Sequence, residues 1–394
     1  MGNILILTSN VFSEANANGL CALSLKKVME AAHHRVCLVG TTKKQDYTHE
    51  DNVFSVTHEQ KPDGNYSLYK EYVKSLKRIF SPIIDKELVT GYVNKSIEII
   101  EKSDIEIIIA IYYPIETLAS IYILKSRYPN IKCVSYELDS ATDGIHPGGR
   151  GDLLFDKAYF RWMNRLYRKI DRIFIMESHR KHFEEHYSEW INKTEFVDIP
   201  VLNEPVVPQR KNYDSPVQFF YTGILDKGYR SPLKALNCLS ELSEQNDWQV
   251  HFYSRGNCEK ILKEWAEKNP RICQHGYVSQ EELNRKLSEA DILLNIGNAN
   301  SNSLPSKLIS YFALGKPIVH FSLQKNDICE GYLRRYPLAL IIHVDETVEQ
   351  AKAKISEFVQ SHLRDRVSYD EVKTTFEKNT PGYSAEKLVG QNVT

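Results

Sequence analysis

Four cations hold comparable places in the second half of this 394-residue chain. Lys227 and Arg230 follow an apolar run at 217–221, Arg255 follows another at 249–253, and Lys307 follows a third at 291–296. Each run is short, apolar and bounded by turn residues, the pattern of a buried strand. Gly223, Gly228 and Gly256 stand beside the cations and allow close backbone approach. Ser303, Leu304 and Ser306 lead into a helix expected from about Pro305, where proline is tolerated in a first turn; Gly315 and Pro317 end it. A helix start with free N–H groups, flanked by cations, suits a phosphate or a diphosphate. Lys307 in the first turn works against the helix dipole, and a bound anion would compensate. An exposed lysine on an ordinary strand–helix connection would account for it equally.

A second group is acidic. Residues 131–137 read as a strand that ends in E-L-D-S-A-T-D, which gives Glu137, Asp139 and Asp143. Ligands of open α/β sheets lie beyond the carboxyl ends of strands, so these carboxylates fall at a possible site. Aspartates in such places also serve as helix caps and turn formers. His146 follows in the loop G-I-H-P-G-G-R-G-D. Asp139 and His146 are the candidates for a general base.

These residues must be held by repeated strand–helix units. Residues 3–8 read as a buried parallel strand, followed by a polar loop to Gly19, a helix over 20–32 with Leu20, Leu23, Val28 and Ala31 as its apolar face, and a strand over 35–40. Two helices broken at Ser81-Pro82 are expected over 66–103. A strand at 105–111, a helix at 116–128, a basic helix at 153–170 and strands at 172–176 and 196–199 complete the first half. Four prolines between 200 and 216 mark a domain boundary. The second series then runs: strand 217–221, helix 232–243, strand 249–253, helix 258–268, strand 271–274, helix 280–288, strand 291–296, the helix from Pro305, strands 318–321 and 338–342, and two closing helices from about Thr347 and Tyr369. No G-x-G-x-x-G and no phosphate-binding G-x-x-x-x-G-K-[ST] occurs.

Composition narrows the classes. Lys+Arg 50 against Asp+Glu 51 leaves a formal net charge of -1, so nothing points to nucleic acid. Seven scattered cysteines without C-x-x-C fit a reducing, cytoplasmic setting better than a disulfide framework. No run approaches the ~20 apolar residues of a membrane-spanning helix. Lys157, Arg161, Arg165, Arg168, Lys169 and Arg172 alternate with aromatics. Such a helix either lies weakly on an anionic membrane or packs its aromatic side on its own sheet.

The G-x-L-x-K-G loop, the H-G-Y-V segment and P-S-K-L-I-S-Y-F-A-L-G-K-P-I together resemble the GT-B glycosyltransferases. The nearest resemblance is to retaining, metal-independent enzymes that build bacterial capsular and exopolysaccharides, and it is strongest over 219–321. It implies an α/β protein with two Rossmann-like domains whose parallel sheets face a central cleft. The expected domains are an acceptor domain at 1–202, a nucleotide-sugar domain at 203–368, and a closing helix at 369–394 that crosses back. The resemblance implies transfer of a sugar from a nucleoside-diphosphate donor to a lipid-linked or oligosaccharide acceptor, at the inner membrane face or in the cytoplasm. It implies no metal and no cofactor, the nucleotide sugar being a substrate. The diphosphate would meet Gly223, Lys227, Arg230, Arg255, Ser303, Leu304, Ser306 and Lys307. The nucleoside would meet Tyr277, Val278 and Ser310, and the acceptor would approach Gly19, Glu137 and the Asp139 loop. Asn302 and Ser310 replace two glutamates common in the family, and Ile224 replaces a frequent arginine. A nucleotide-sugar 2-epimerase of the same fold and a non-catalytic nucleotide-sugar-binding subunit are the alternatives.

Overall fold

Runs of Ile, Leu and Val buried on both faces build two all-parallel sheets, as expected where helices cover each face. The computed structural model describes residues 2–12, 16–42, 51–57, 82–142, 152–205, 216–299 and 304–390. The chain divides into one unit of Met1–Val201 with Lys378–Thr394 and a second of Leu202–Glu377.

The first unit runs β1 (Asn3–Leu7), α1 (Ala17–Ala31), β2 (Arg35–Thr42), β3 (Val53–Thr57), α2 (Lys86–Lys102), β4 (Ile107–Tyr112), α3 (Ile115–Arg127), β5 (Lys132–Glu137), α4 (Asp152–Lys169), β6 (Arg172–Met176), α5 (Arg180–His186) and β7 (Thr194–Val197). Its strand order is β3-β2-β1-β4-β5-β6-β7, so the winding direction reverses between β1 and β4. Every residue of β4 is buried. Asn16 caps α1 by accepting from the Gly19 N–H at 3.0 Å. Gly19 therefore lies in the first helical turn, not in the loop. A Cβ there would stand 1.9 Å from the Asn10 carbonyl oxygen. The buried side of α1 is Cys21, Ala22, Leu25 and Met29. The expected stripe of Leu20, Leu23, Val28 and Ala31 is therefore not the buried one: Leu20 and Ala31 are exposed and Leu23 and Val28 half-buried.

The second unit runs β8 (Val217–Leu225), α6 (Leu233–Gln245), β9 (Trp248–Gly256), α7 (Glu259–Lys268), β10 (Ile272–Gln274), α8 (Gln280–Glu289), β11 (Ile292–Ile296), α9 (Ser306–Ala313), β12 (Ile318–Phe321), α10 (Ile328–Leu333), β13 (Ala339–Ile342), α11 (Val348–His362) and α12 (Tyr369–Thr375). Its order is β10-β9-β8-β11-β12-β13, with the reversal between β8 and β11. Strands β8 and β9 both outrun the sequence expectation. Thr222 to Leu225 pair onward with Tyr253 to Gly256, which places Gly223 and Arg255 on strands instead of in loops. Gly223 and Gly256 reach this register at φ 116° and 120°, and a Cβ on Gly256 would stand 2.0 Å from the Leu225 carbonyl oxygen.

The closing segment also departs from expectation. Helix α12 stays in the second unit, and the chain breaks before α13 (Pro381–Val389), where Thr380 caps the helix and Pro381 opens it. Helix α13 packs on α1 of the first unit. There Ser384 Oγ meets Tyr136 Oη at 3.1 Å, Arg172 donates to the Lys387 carbonyl at 3.2 Å, and Lys387 pairs with Glu195 at 3.3 Å. The return to the first unit thus begins at Lys378, not at residue 369.

Candidate functional site

Open α/β sheets bind ligands where the winding reverses, beyond the carboxyl ends of the strands. In the second unit that point is the end of β8 beside the end of β11. The turn after β8 is fixed by Asp226, whose Oδ1 accepts from the Gly228 and Tyr229 N–H groups at 2.7 and 3.1 Å. Asp226 and Arg230 also pair through their backbones, which aims Arg230 back across the strand end. Its guanidinium donates twice to Asn298 Oδ1, at 2.9 and 2.6 Å, and once to the Ile224 carbonyl at 3.3 Å. Asn298 stands in the loop after β11, so the two strand-end loops are joined by this contact.

Lys307 enters the same place from α9. Its Nζ donates to the Thr222 carbonyl at 3.0 Å and lies 3.6 Å from the centre of the Tyr221 ring. Gly223 lies directly against this amine; a Cβ there would stand 3.7 Å from Nζ. Burial pushes the Lys307 ammonium well below the usual lysine range, and the Arg230 charge pushes it further. The carbonyl and the ring therefore answer the dipole conflict read from sequence. Tyr311 braces the strand end by accepting the Thr222 N–H at 2.9 Å.

The loop after β11 starts over a buried polar network. Asn295 Nδ2 contacts His320 Nδ1 at 2.8 Å, His320 Nε2 contacts Asp327 Oδ2 at 3.1 Å, and Asp327 Oδ1 accepts the Cys329 N–H at 2.9 Å. Burial alone would raise the Asp327 carboxyl, but the hydrogen bond and charge of His320 leave it below its ordinary value. A Cβ at Gly297 would fall 1.8 Å from Asp327 Oδ2, so only glycine lets the chain leave β11 over this network.

The structure brings Gly223, Arg230 and Lys307 together. Leu304 is buried and Ser306 half-buried at the start of α9. Arg255 instead stands 5.2 Å over the Tyr277 ring, which is 58 % exposed, with Val278 half-buried next to it. Lys227 is exposed; its backbone N–H donates to Asn257 Oδ1 at 2.8 Å. Ser310 is exposed on α9. Ser303 and His146 lie outside the described residues, as do Asp143 and Asn302. Asn298, Tyr221 and the Thr222 carbonyl are the partners that sequence reasoning did not assign; Asn298, directly after the strand-ending Gly297, was the one with a visible signal.

In the first unit the reversal lies between β1 and β4, and Asn18 of α1 donates to the Tyr113 carbonyl across it at 2.9 Å. Glu137 is not an open strand-end carboxylate. It is 1 % exposed and accepts from Tyr167 Oη at 2.8 Å and Ser135 Oγ at 2.9 Å. Burial raises it to about 7 against those two bonds. Asp139 is half-buried, and its charge adds to burial in raising the Cys21 thiol and the Tyr112 phenol. The Gly19 N–H is spent on the Asn16 cap.

The basic helix α4 buries Met163, Leu166 and Tyr167 in the first core, while Lys157, Arg161, Arg165 and Arg168 stay exposed. One side of the helix therefore packs in the first core, and four cations face outward. Among the described residues no helix is long and apolar enough to cross a membrane.

Two Rossmann-like units with all-parallel sheets, and a final helix that rejoins the first, define the GT-B class of fold. Solved structures share it over nearly their whole length. A glycosyltransferase from Rickettsia africae ESF-5 matches with a TM-score of 0.63 at 11% identity, covering 99% of each chain. The lipopolysaccharide outer core galactosyltransferase WaaB, in its apo form, matches at 0.58 and 11%, also over 99% of each. The UDP-GlcNAc 2-epimerase from Methanocaldococcus jannaschii matches at 0.59 and 13%, over 99% of this chain and 98% of that one. No protein-family model and no curated protein matches the chain.

Proposed function

We propose that this chain is a glycosyltransferase that moves a sugar from a nucleoside-diphosphate donor to a lipid-linked or oligosaccharide acceptor in bacterial surface polysaccharide synthesis. The observation that carries the reading is the meeting of Lys307 and Arg230 beside Gly223 at the reversal of the second sheet. Two basic side chains and a bare backbone there suit the donor diphosphate, with the amides of Leu304 and Ser306 at the start of α9 available to it. Tyr277 under Arg255 offers a stacking face for the base, with Val278 beside it and Ser310 for the ribose. Stabilising the departing diphosphate is the main electrostatic task, and these cations perform it without a metal. A retaining outcome fits the family resemblance of the 219–321 segment. The acceptor belongs to the first unit near Asp139, which with His146 is the candidate base.

The deciding experiment is calorimetry with UDP, GDP and the bare nucleosides on Lys227→Ala, Arg230→Ala, Arg255→Ala and Lys307→Ala. A charge-assisted hydrogen bond contributes ~1.5–3 kcal/mol, so Arg230→Ala and Lys307→Ala should weaken diphosphate binding by about 10- to 100-fold. Unchanged affinity in all four, with the fold kept by circular dichroism, would leave no phosphate clamp here. The 2-epimerase reading is favoured by one observation, the equally good match to the Methanocaldococcus enzyme. A donor screen separates the two: a transferase releases nucleoside diphosphate only with acceptor, whereas an epimerase converts the donor alone.

A further inference from the structure

One cluster outside this site carries chemistry that the transferase reading does not use. Strand β10 is the edge of the second sheet, and Cys273 on it pairs in register with His251 on β9. Two residues on, His275 continues the pairing by donating its N–H to the Phe252 carbonyl at 3.0 Å. Alternation along strands puts residues 251, 273 and 275 on one face. One ligand atom from each of the three lies within 4.8 Å of the others. His275 is exposed and the other two are half-buried, so the cluster is open to solvent.

The orientation of His251 is the second observation. Its Nε2 stands 2.6 Å from Gln218 Oε1, and the Gln218 amide nitrogen donates to the Pro216 carbonyl at 2.8 Å and to Gln249 Oε1 at 3.3 Å. Those two bonds fix the amide so that its oxygen faces the imidazole. His251 must then carry its proton on Nε2, which leaves the Nδ1 lone pair aimed at His275 Nε2, 2.8 Å away. A histidine held by an outer carbonyl with its other nitrogen turned into a cluster is the arrangement found around metal ions. Tyr253 stacks on His275 with ring centres 4.3 Å apart and steadies its plane.

We propose that His251 Nδ1, Cys273 Sγ and His275 Nε2 bind a borderline divalent cation of the zinc class, with a water in the fourth position. Two imidazoles and one thiolate suit such an ion better than calcium or magnesium. Zinc sits about 2.0–2.1 Å from nitrogen and about 2.3 Å from sulfur, so the ligand atoms adjust modestly. His275 is exposed and lies past the strand end, where its side chain can shift to do so. On binding, the Cys273 thiol releases one proton and becomes the thiolate. His275 stays neutral and moves its proton from Nε2 to Nδ1. The ion would tie the three-residue edge strand to β9 and anchor the backbone two residues before Tyr277. The site stands whether or not the donor reading does, because its readouts involve no nucleotide.

The test uses the full chain freed of metal by a chelator. Zinc is titrated in competition with a chromophoric chelator, and cobalt(II) is added as a spectroscopic probe. One equivalent of metal should bind with release of one thiol proton, and cobalt should give a thiolate charge-transfer band with four-coordinate visible bands. Cys273→Ser should abolish the charge-transfer band. His275→Ala, a substitution at an exposed position, should weaken zinc sharply without changing the circular dichroism. Gln218→Ala should weaken it by about 10- to 100-fold by freeing His251 to turn. Absence of the band in the wild type, a band that survives Cys273→Ser, or zinc affinity unchanged in His275→Ala would each overturn the proposal.

Discussion

Lys307 and Glu137 are ionisable groups that burial moves in opposite charge directions, and each leads to a pH-dependent measurement. Lys307 is depressed by burial and by Arg230. A diphosphate arriving beside it favours the ammonium, so binding should draw a proton from buffer. Calorimetry in buffers of different ionisation enthalpy, repeated across pH, should show proton uptake that sets in at lower pH in wild type than in Lys307→Met; uptake identical in the two proteins at every pH would mean that no anion reaches this amine. Glu137 is raised from 4.5 to about 7. The folded chain holds that proton more tightly than the unfolded chain does. The associated stability is complete below pH 4.5 and is lost as pH rises through 7, a difference of about 3 kcal/mol. Glu137→Gln should remove this slope, so that urea midpoints at pH 5 and pH 8 converge relative to wild type. Tyr167 and Ser135 are the groups bonded to the carboxylate, so Tyr167→Phe should raise the Glu137 value further and steepen the slope.

At the scale of the element, the paired ends of β8 and β9 carry the site, and their glycines are not replaceable. Gly256→Ala meets the Leu225 carbonyl as well as an unfavourable φ. It should cost about 1–3 kcal/mol or more, read by thermal unfolding, and should disorder Arg255 over Tyr277. Helix α4 presents Lys157, Arg161, Arg165 and Arg168 along its exposed side. Each cation near an anionic membrane contributes roughly 1 kcal/mol, so flotation with anionic liposomes should succeed at low salt and fail at high salt. Equal recovery with neutral lipid would leave the helix a packing element only. Uniformly apolar runs with punctuation were legible in the sequence. Residues 172–176 and 318–321 form strands with those bounds, and Gly315 ends α9 at φ 64°. The extensions of β8 and β9 were not legible, because T-G-I-L and S-R-G read as breakers until each is seen to pair with the other. Strand β3 went unread because its V-F-S-V-T is short, mostly half-buried and at a sheet edge. The acceptor of Lys307 lies 85 residues away on another strand, and the Cys273–His251 register joins two strands; neither contact leaves a trace in local spacing.

For the whole molecule, the division at Val201 and Lys378 makes the first unit discontinuous and the second contiguous. Cutting the chain after Glu377 removes α13 together with its contacts to Tyr136, Arg172 and Glu195. Hydrogen exchange should then rise in α1, β5 and β6 while the second sheet stays protected; equal loss in both units would show that α13 stabilises the molecule globally. The same tail governs how the protein is made. A ribosome delivers residues 1–201 before residues 202–377, yet the helix that covers α1 emerges only after both. During that interval the nascent first unit displays the side of α1 that α13 covers, while Tyr136 keeps only its bond to the Asp198 carbonyl at 2.6 Å and residues 202–377 have all they need to close. The first of these two units is therefore completed after the second, and chaperone binding or proteolysis of stalled chains should concentrate on it.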